Sequence, residues 1–225
     1  MQNLITLENI SKRYTVDGDT VCALEDVNLS IPEGTFLAIL GDSGSGKSTL
    51  LNILGCLDKA TTGAYYFSGE NTQTMSEGRL SRLRGRKIGF IFQGFYLLPG
   101  LTAYENVTAA LQYTGVRRDR GKIALRALEQ VGLLHRRGHL PHQLSGGQQQ
   151  RVAIARVIAQ NPKIILADEP TGNLDPKTAD EIINILLALH AEGRTILLIT
   201  HDKRIAARIP HRIHIENGRI AEEAI

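Results

Sequence analysis

The residues best suited to chemistry in this chain form a glycine-rich loop that ends in a lysine and a serine. The loop has the pattern G-x-x-x-x-G-K-[ST] and consists of Gly41, Asp42, Ser43, Gly44, Ser45, Gly46, Lys47 and Ser48, with Thr49 directly after it. Its glycines permit a tight turn that points successive backbone N–H groups at phosphate oxygens. In such a loop the lysine reaches the β- and γ-phosphates of a nucleoside triphosphate, and the hydroxyl residue ligates Mg²⁺. The loop therefore predicts a nucleotide-binding site.

A pair of acidic residues is the second candidate for chemistry. Asp168 and Glu169 follow an apolar run at 164–167 that is typical of a buried strand. A carboxylate at the end of such a strand can hold Mg²⁺ through water, and the next carboxylate can orient or activate the attacking water. We assign the metal to Asp168 and the water to Glu169.

A second glycine-rich motif lies far downstream of the first. The segment Leu144-Ser145-Gly146-Gly147-Gln148 precedes a helix that we predict to begin at about Gln149. The Ser145 hydroxyl, the glycine N–H groups and the helix dipole form a second anion site, suited to a γ-phosphate. One chain does not need two such sites for one nucleotide. We therefore expect Ser145 to serve a nucleotide bound to a second copy of the chain.

The segments around these motifs predict the strands and helices that position them. An apolar run at 36–40 predicts a buried strand before the first loop, and a helical pattern begins at Ser48, so a positive helix N-terminus faces the phosphates. Strand-like runs at Ile164–Ala167 and Thr195–Thr200 flank a predicted helix at about Lys177–His190. This βαβ pattern predicts a parallel sheet.

The other parts of the chain follow different patterns. Roughly the first 35 residues alternate apolar and polar positions around a turn at Asp17-Gly18-Asp19, which predicts antiparallel strands, and 60–70 predicts another short strand. The segment 103–160 is mostly helical in pattern, with one helix at Lys122–Val131 that Gly132 ends.

Composition places the chain among ordinary single-domain globular proteins. It has 225 residues, of which 42% are hydrophobic and 22% charged, and a net charge of +3 that does not by itself argue for nucleic acid. Neither a signal peptide nor an apolar stretch of about 20 residues is visible, so the sequence predicts a soluble chain. Cys22 and Cys56 lie far apart, which argues against a disulfide framework or zinc site and predicts buried thiols in a reducing cytoplasm.

The order of the motifs resembles that of ATP-binding cassette (ABC) transporter ATPases. The resemblance covers essentially the whole chain and comprises the phosphate loop, Gln93, Leu144-Ser145-Gly146-Gly147-Gln148, Asp168-Glu169, Asn173-Leu174-Asp175 and His201. Segments 88–93 and 167–175 resemble the MacB/LolD-type branch, whose members drive macrolide and peptide efflux or lipoprotein release. The stretch 107–121 does not align with the usual pattern of that branch and says little about substrate.

The resemblance implies a particular α/β fold. It is a P-loop NTPase (RecA-like) core with a mostly parallel sheet, an antiparallel β subdomain and an inserted helical subdomain. A single ABC ATPase domain would span 1–225, with the core and β subdomain at about 1–92 and 161–225 and the helical subdomain at about 93–160.

The resemblance also implies roles for single residues. Tyr14 would stack on adenine, the alternative being a surface tyrosine of a strand. Gln93 would ligate Mg²⁺ and sense a membrane partner, His201 would contact the γ-phosphate, and Asp175 would link the two sites of a dimer. The nucleotide-contacting set then comprises Tyr14, the phosphate loop with Thr49, Ser145, Gly146, Gly147, Gln148 and Asp175. The catalytic set comprises Glu169, His201 and Gln93, and the Mg²⁺ ligands would be Ser48, Gln93 and Asp168.

These roles imply an ATP-hydrolysing subunit of a membrane transporter. Two copies would close around two ATP molecules and drive a separate permease in export or in extraction of substrate from the inner membrane. The expected partners are a second copy, an integral-membrane permease and, in efflux systems, a periplasmic adaptor, with the chain on the cytoplasmic face of the inner membrane. The expected ligands are ATP and Mg²⁺.

Two other functions compete with the transporter hypothesis. A nucleic-acid-associated ABC ATPase would share this core, but the chain has neither zinc ligands nor room for a long coiled coil. Basic clusters at 79–87 and 117–120 fit either a solvated face near anionic lipid or a nucleic-acid surface. A regulatory ATP-binding module is disfavoured because Glu169 and His201 equip the chain for turnover.

One apolar segment is a candidate surface for the permease. Phe95–Leu101 contains a Pro-Gly pair, which predicts a loop. A loop this apolar either packs under its own domain or awaits a partner. The family resemblance favours docking of a short permease helix there.

Overall fold

The computed structural model describes residues 3–16 and 19–224, which form two β-sheets and a set of helices. The strands are β1 (Asn3–Val16), β2 (Asp19–Pro32), β3 (Phe36–Leu40), β4 (Thr62–Phe67), β5 (Glu70–Asn71), β6 (Ile88–Phe92), β7 (Ile164–Asp168), β8 (Thr195–Ile199), β9 (His211–Glu216) and β10 (Arg219–Ala224). The α-helices are α1 (Lys47–Leu54), α2 (Glu77–Lys87), α3 (Ala103–Ala110), α4 (Arg120–Gln130), α5 (Gly146–Gln160), α6 (Pro176–Ala191) and α7 (Lys203–Ala206). Residues 17 and 18 of the predicted turn lie outside the described residues.

The larger sheet brings four functional segments to one edge. Its strand order is β10-β9-β3-β8-β7-β6, with β10 antiparallel to β9 and the other neighbours parallel. Asp168 of β7 pairs with Phe92 of β6 and with Ile199 of β8, which in turn pairs with Ile39 of β3. The segments that follow these strands therefore lie side by side at the carboxyl-terminal edge of the sheet. Ligands of open α/β sheets bind at this edge. The predicted parallel sheet is confirmed.

The smaller sheet is antiparallel and has the order β2-β1-β4-β5. β1 pairs with β2 on one side and with β4 on the other. In the second half of β2, buried residues alternate with more exposed ones, as expected for a sheet that faces a core on one side only. The antiparallel strands predicted for the first part of the chain and for 60–70 are confirmed.

A hydrophobic core covers each face of the larger sheet. Phe36 and Ala38 of β3 belong to the core that includes α3, α4, α5 and α6. Leu37 and Ile39 belong to the core that includes α1 and the antiparallel sheet. β3 is therefore buried on both faces, which explains its continuous apolar sequence.

The helix after the second glycine-rich motif begins earlier than predicted. α5 begins at Gly146, not at about Gln149, and Ser145 is its N-cap. Ser145 and Gln148 form a capping box that satisfies two otherwise unpaired backbone amides. This cap places both glycines in the first helical turn in spite of their low helix propensity.

The two cysteines lie in different environments. Cys56 is buried, and burial raises the pKa of its thiol to about 11. Cys22 is exposed, so the prediction of a buried thiol was wrong for this residue. The reason is its place at the start of β2, where residues 19–22 are all exposed and the first buried residue is Leu24.

The helices are short compared with the thickness of a bilayer. A transmembrane helix needs about 20 predominantly apolar residues. The longest helix of the described residues, α6, has 16. Across residues 3–16 and 19–224, no helix reaches the length and hydropathy that crossing a membrane requires.

Candidate nucleotide-binding and hydrolytic site

The phosphate loop connects β3 to α1 and holds a buried cation. The Lys47 ammonium donates hydrogen bonds to the carbonyl oxygens of Gly41 at 2.8 Å and Asp42 at 2.6 Å. Its side chain therefore bends back along the inner side of the loop. The Lys47 ammonium is buried there with carbonyl partners and, among the described residues, no carboxylate hydrogen-bond partner, which suits it to bind an anion.

Two glycines are required by the close packing of this loop. Gly41 has φ +152, and a Cβ there would lie 2.3 Å from the Ile215 carbonyl oxygen. Gly46 has φ +107, and a Cβ there would lie 2.5 Å from the Ala23 carbonyl oxygen. Gly46 is the N-cap of α1, and no side chain caps the first turn of this helix. The first amides of α1 are thus available to phosphate oxygens, and the loop fits a nucleotide.

The acidic pair lies at the end of β7 in a strained backbone. Burial, and next the charge of Glu169, raise the pKa of Asp168, while the nearby Lys47 ammonium opposes this shift. Glu169 has φ +43, which is unusual for a residue with a side chain. Its N–H donates to the Ile199 carbonyl and its carbonyl accepts from the Gly172 N–H, each at 3.0 Å. Strain of this kind is typical of functional sites.

Glu169 and His201 are in direct contact. The His201 Nδ1 atom lies 3.0 Å from the Glu169 Oε2 atom. The two residues follow neighbouring strands, β7 and β8, whose parallel register brings them together. The sequence predicted both residues for the site but did not predict this contact. It places the carboxylate beside an imidazole that is itself largely exposed.

Gln93 directly follows β6 and is held by Asn173. The Gln93 Nε2 atom donates to the Asn173 Oδ1 atom at 3.0 Å, and the Asn173 side-chain amide donates to the Gln93 carbonyl at 3.3 Å. A Cβ at Gly172 would lie 2.7 Å from the Gln93 Nε2 atom, so a larger residue there would displace the Gln93 amide. The sequence motif Asn173-Leu174-Asp175 included Asn173 but gave no indication of its role beside Gln93. Its reciprocal hydrogen bonds tie Gln93 to the segment after Glu169.

Tyr14 lies next to the start of α1 and is anchored by an acid. Its hydroxyl donates to the Asp58 Oδ2 atom at 2.8 Å and lies within hydrogen-bonding reach of Thr49. Burial, followed by the hydrogen bond to Asp58, raises the pKa of Tyr14. The Lys12 ammonium lies 4.8 Å from the centroid of the Tyr14 ring and pairs with Asp58 at 2.6 Å. The sequence did not single out Lys12 or Asp58, because neither lies in a recognised motif.

Ser145 and Asp175 occupy equivalent positions at the starts of α5 and α6. The Ser145 Oγ atom accepts from the Gln148 N–H, and the Asp175 carboxylate accepts from the Thr178 N–H. The hydrogen bond from Thr178 is the main cause of the lowered pKa of Asp175. A Cβ at Gly147 would lie 2.3 Å from the Thr178 Cγ2 atom, so the two helix starts are in close contact. The structure thus joins the second glycine motif to Asp175.

The second glycine motif is separate from the phosphate loop of the same chain. Among residues 3–16 and 19–224, no hydrogen bond or ion pair connects Ser145, Gly146 or Gln148 to residues 41–49. Ser145 lies at the exposed start of α5. This arrangement agrees with the expectation that Ser145 serves another copy.

A metal at this site would depend on the nucleotide. The described residues contain no group of three or more His, Cys, Asp or Glu side chains placed to hold a metal ion. The predicted ligands, Ser48, Gln93 and Asp168, include one carboxylate only. They fit a Mg²⁺ ion that arrives with phosphate oxygens, because Mg²⁺ in such sites takes few protein ligands.

Comparison with known proteins gives matches along nearly the whole chain. A family model described as ABC transporter matches residues 24–172. The uncharacterised ABC transporter ATP-binding protein YknY of Bacillus subtilis (strain 168) is 46% identical over 218 residues, which are 96% of this chain and 95% of that protein. The macrolide export ATP-binding/permease protein MacB of Agrobacterium fabrum is 48% identical over 221 residues, which are 98% of this chain and 34% of that protein.

Solved structures match at high similarity. The dimeric structure of the ABC transporter cassette MJ0796 has a TM-score of 0.90 and 46% identity, and covers 97% of each chain. A dimeric post-hydrolysis state of the same cassette, bound to ADP and Pi, has a TM-score of 0.89 and 45% identity, and also covers 97% of each chain. The sequence of MJ0796, from Methanocaldococcus jannaschii, is 47% identical over 98% of this chain and 96% of that protein.

These comparisons confirm the predicted family, the ABC ATPase fold and the assignment as an ATP-hydrolysing transporter subunit. The MacB relatives agree with the predicted MacB/LolD-type branch. The nucleic-acid alternative receives no support from any of them. The chain belongs to the ABC transporter family, as one of its ATP-binding and ATP-hydrolysing cassettes.

Proposed function

We propose that this chain hydrolyses ATP as a dimer and thereby drives a membrane permease. The observation that carries the hydrolytic part is the meeting of Lys47, Asp168 and the Glu169–His201 pair at one edge of the parallel sheet. This edge provides a cation for the phosphates, a carboxylate for Mg²⁺ and a carboxylate for water. When bound, Mg²⁺ neutralises charge that develops on the phosphate oxygens.

Glu169 and His201 have complementary roles in this proposal. The Glu169 carboxylate orients the attacking water and accepts its proton. The Glu169 Oε2 atom contacts His201, and the other carboxylate oxygen would face the water. His201, which is largely exposed, is then placed to contact the γ-phosphate. Gln93 is held by Asn173, which follows Glu169 in the chain, and lies two positions before Phe95, where the proposed permease loop begins.

The remaining predicted site residues complete the nucleotide site across a dimer. Ser145 and the glycines after it would face the γ-phosphate of ATP on the partner, and Asp175 beside them would connect the two sites. Tyr14 would stack on adenine with the ring face that Lys12 does not cover. The dimeric state of the similar MJ0796 cassette supports this arrangement.

The proposed division into subdomains follows the same plan. The core and β subdomain would take about 1–92 and 161–225, and the helical subdomain about 93–160, within one ABC ATPase domain at 1–225. Helices α3, α4 and α5 of the segment 93–160 pack against one another, which supports the division, although their hydrophobic core continues onto β3 and α6.

The permease would bind the loop Phe95–Leu101, which we call the docking loop. Tyr96 and Leu98 are 71% and 52% exposed, whereas Leu97 packs against the core. The guanidinium of Arg156, from α5, donates to the carbonyl oxygens of Phe95 and Tyr96 at 2.6 and 2.7 Å. The docking loop is therefore a fixed surface with two exposed apolar side chains, which suits a protein partner.

Asn106 fixes the other end of the docking loop. Its buried amide donates to the carbonyl oxygens of Leu98 and Leu101 at 3.1 and 2.9 Å and accepts from the Leu98 N–H at 2.8 Å. Burial lowers the pKa of Arg156, which holds the first part of the loop and remains charged. Arg156 and Asn106 thus hold the backbone of the docking loop in the conformation that exposes Tyr96 and Leu98.

We predict that Tyr96→Glu and Leu98→Glu abolish co-purification with the permease partner of this chain. Both side chains are exposed, so the isolated chain should keep its melting temperature and its ATP affinity. At the contact, an unpaired carboxylate would be buried, at a cost of several kcal/mol. The measurement is a pull-down from membranes, together with circular dichroism melting of each variant.

The matched control is Tyr113→Glu, since Tyr113 is 76% exposed but lies outside the docking loop. This variant should co-purify as the wild type does. Retention of the permease by both docking-loop variants would place the partner surface elsewhere. A large fall in melting temperature for Tyr96→Glu would show instead that the side chain contributes to the core.

The proposed permease partner determines where the chain works and which cargo is transported. A chain that binds an inner-membrane permease works at the cytoplasmic face of that membrane. The similarity to MacB, named as a macrolide export ATP-binding/permease protein, favours export or extraction from the membrane, with a periplasmic adaptor as a third component. The cargo would be selected by the permease.

A further inference from the structure

A glutamine in the second turn of α5 is completely buried. Gln150 has no exposed surface, although its neighbours in the core are apolar, among them Val152 and Ile154. Its Nε2 atom donates two hydrogen bonds, to the Pro170 carbonyl oxygen at 2.6 Å and to the Phe92 carbonyl oxygen at 3.2 Å. No motif in the sequence analysis included this residue.

Both carbonyl groups belong to residues next to the hydrolytic site. Phe92 directly precedes Gln93, and Pro170 directly follows Glu169. β6 and β7 are neighbouring parallel strands, so these two carbonyl groups lie at the same edge of the sheet. The Gln150 amide therefore joins the backbone beside the water-orienting carboxylate to the backbone beside Gln93.

The Gln150 side chain reaches both groups from the helix that carries the second glycine motif. Ser145 caps α5, and Gln150 lies five positions further along the same rigid helix, a distance of about 7 Å along its axis. A displacement of the start of α5 therefore changes the position of the Gln150 amide. Among described residues, these are the side-chain hydrogen bonds from α5 to the ends of β6 and β7.

Stability alone does not explain a glutamine at this position. The Gln150 Oε1 atom is buried and has no hydrogen-bond partner among the described residues. An unsatisfied buried acceptor opposes folding, and buried polar groups of this kind call for another explanation. Among the described residues, the Nε2 atom of this amide donates both of its hydrogen bonds to the hydrolytic segments.

We propose that Gln150 is a positioning residue that couples the start of α5 to Glu169 and Gln93. The proposal builds on the proposed function, in which Ser145 contacts ATP on the partner while Glu169 acts on ATP of its own chain. Contact of Ser145 with the partner's ATP fixes α5, and the Gln150 amide then fixes the two strand ends. Hydrolysis in one site thereby depends on occupation of the other.

Two substitutions separate positioning from folding. Gln150→Met has a similar length and lacks both donors, and Gln150→Glu has nearly the same shape. Gln160→Met, at the far end of α5, is the matched control, because within residues 3–16 and 19–224 no hydrogen bond of its side chain reaches the strand ends. Each variant is assayed for steady-state ATP hydrolysis, for binding of a fluorescent ATP analogue and for its native circular dichroism at the assay temperature.

We expect Gln150→Met to lower kcat by at least about tenfold while KM and analogue affinity stay within about twofold of the wild type. Burial raises the pKa of the carboxyl in Gln150→Glu, so this group is protonated below its raised pKa and then regains one donor. The kcat of Gln150→Glu relative to wild type should therefore rise as the pH falls from about 8.5 to about 6.5. The kcat of Gln150→Met relative to wild type should stay constant over the same pH range.

Three outcomes would overturn the proposal. Wild-type kcat in Gln150→Met is the first, and a pH-independent kcat ratio in Gln150→Glu is the second. The third is a loss of kcat that matches the loss of native circular dichroism, since this would show a purely structural role. Failure of the proposed function can be recognised separately. In that case Glu169→Gln would retain ATP hydrolysis, whatever the Gln150 variants do.

Discussion

Replacement of Glu169 by Gln is expected to lower the rate of ATP hydrolysis by about 10²- to 10⁴-fold and to leave ATP binding unchanged. The amide keeps the shape of the carboxylate but cannot accept a proton from water. It also keeps an oxygen that can contact the His201 imidazole, so we expect the local geometry to be retained. Binding should be unaffected because Lys47 and the amides of α1, not Glu169, are the groups proposed to hold the phosphates.

The test compares kcat with the affinity for a fluorescent ATP analogue. Glu129→Gln is the matched control, because Glu129 is exposed on α4 and forms no ion pair among the described residues. The control should hydrolyse ATP as the wild type does. Full turnover by Glu169→Gln would show that another group receives the proton.

Lys47→Ala is expected to act on the other step, with nucleotide affinity about 100-fold weaker than in the wild type. The Lys47 ammonium is buried within the phosphate loop, where hydrogen bonds to a charged group contribute about 1.5–3 kcal/mol each. Loss of its contacts with two phosphates therefore corresponds to about two orders of magnitude in the dissociation constant. Equilibrium binding of the fluorescent analogue measures this change.

Lys87→Ala provides the comparison for charge alone, since Lys87 is an exposed lysine at the end of α2. It should bind nucleotide as the wild type does. Equal affinities in Lys47→Ala and the wild type would mean that the loop amides alone determine phosphate binding.

The sequence predicted those parts of the fold that depend on local pattern. The apolar runs of β3, β7 and β8 are continuous because both faces of the larger sheet are buried. Once these strands are parallel, the residues after them must meet at one edge. The motifs alone assign Lys47, Asp168 and Glu169 to one site, and this strand register explains how the fold brings them together.

Other features depend on partners that are distant in sequence, and local pattern gave no sign of them. The start of α5 was predicted too late because glycines disfavour helix, whereas the capping box of Ser145 and Gln148 compensates for this. Gln150 lies in a polar stretch, so its complete burial could not be read from the sequence. The contact between Glu169 and His201 likewise requires the register of two strands.

The claim that ATP joins two copies through Ser145 is tested most directly by molecular mass in solution. The Glu169→Gln chain, with Mg²⁺ and ATP, is compared by sedimentation with a chain that carries Ser145→Asp in addition. Aspartate is as good an N-cap as serine, so α5 keeps its start, but its negative charge would repel a γ-phosphate. The account predicts a dimer for Glu169→Gln and a monomer that still binds ATP for the double variant. A stable ATP-dependent dimer of the double variant would contradict it.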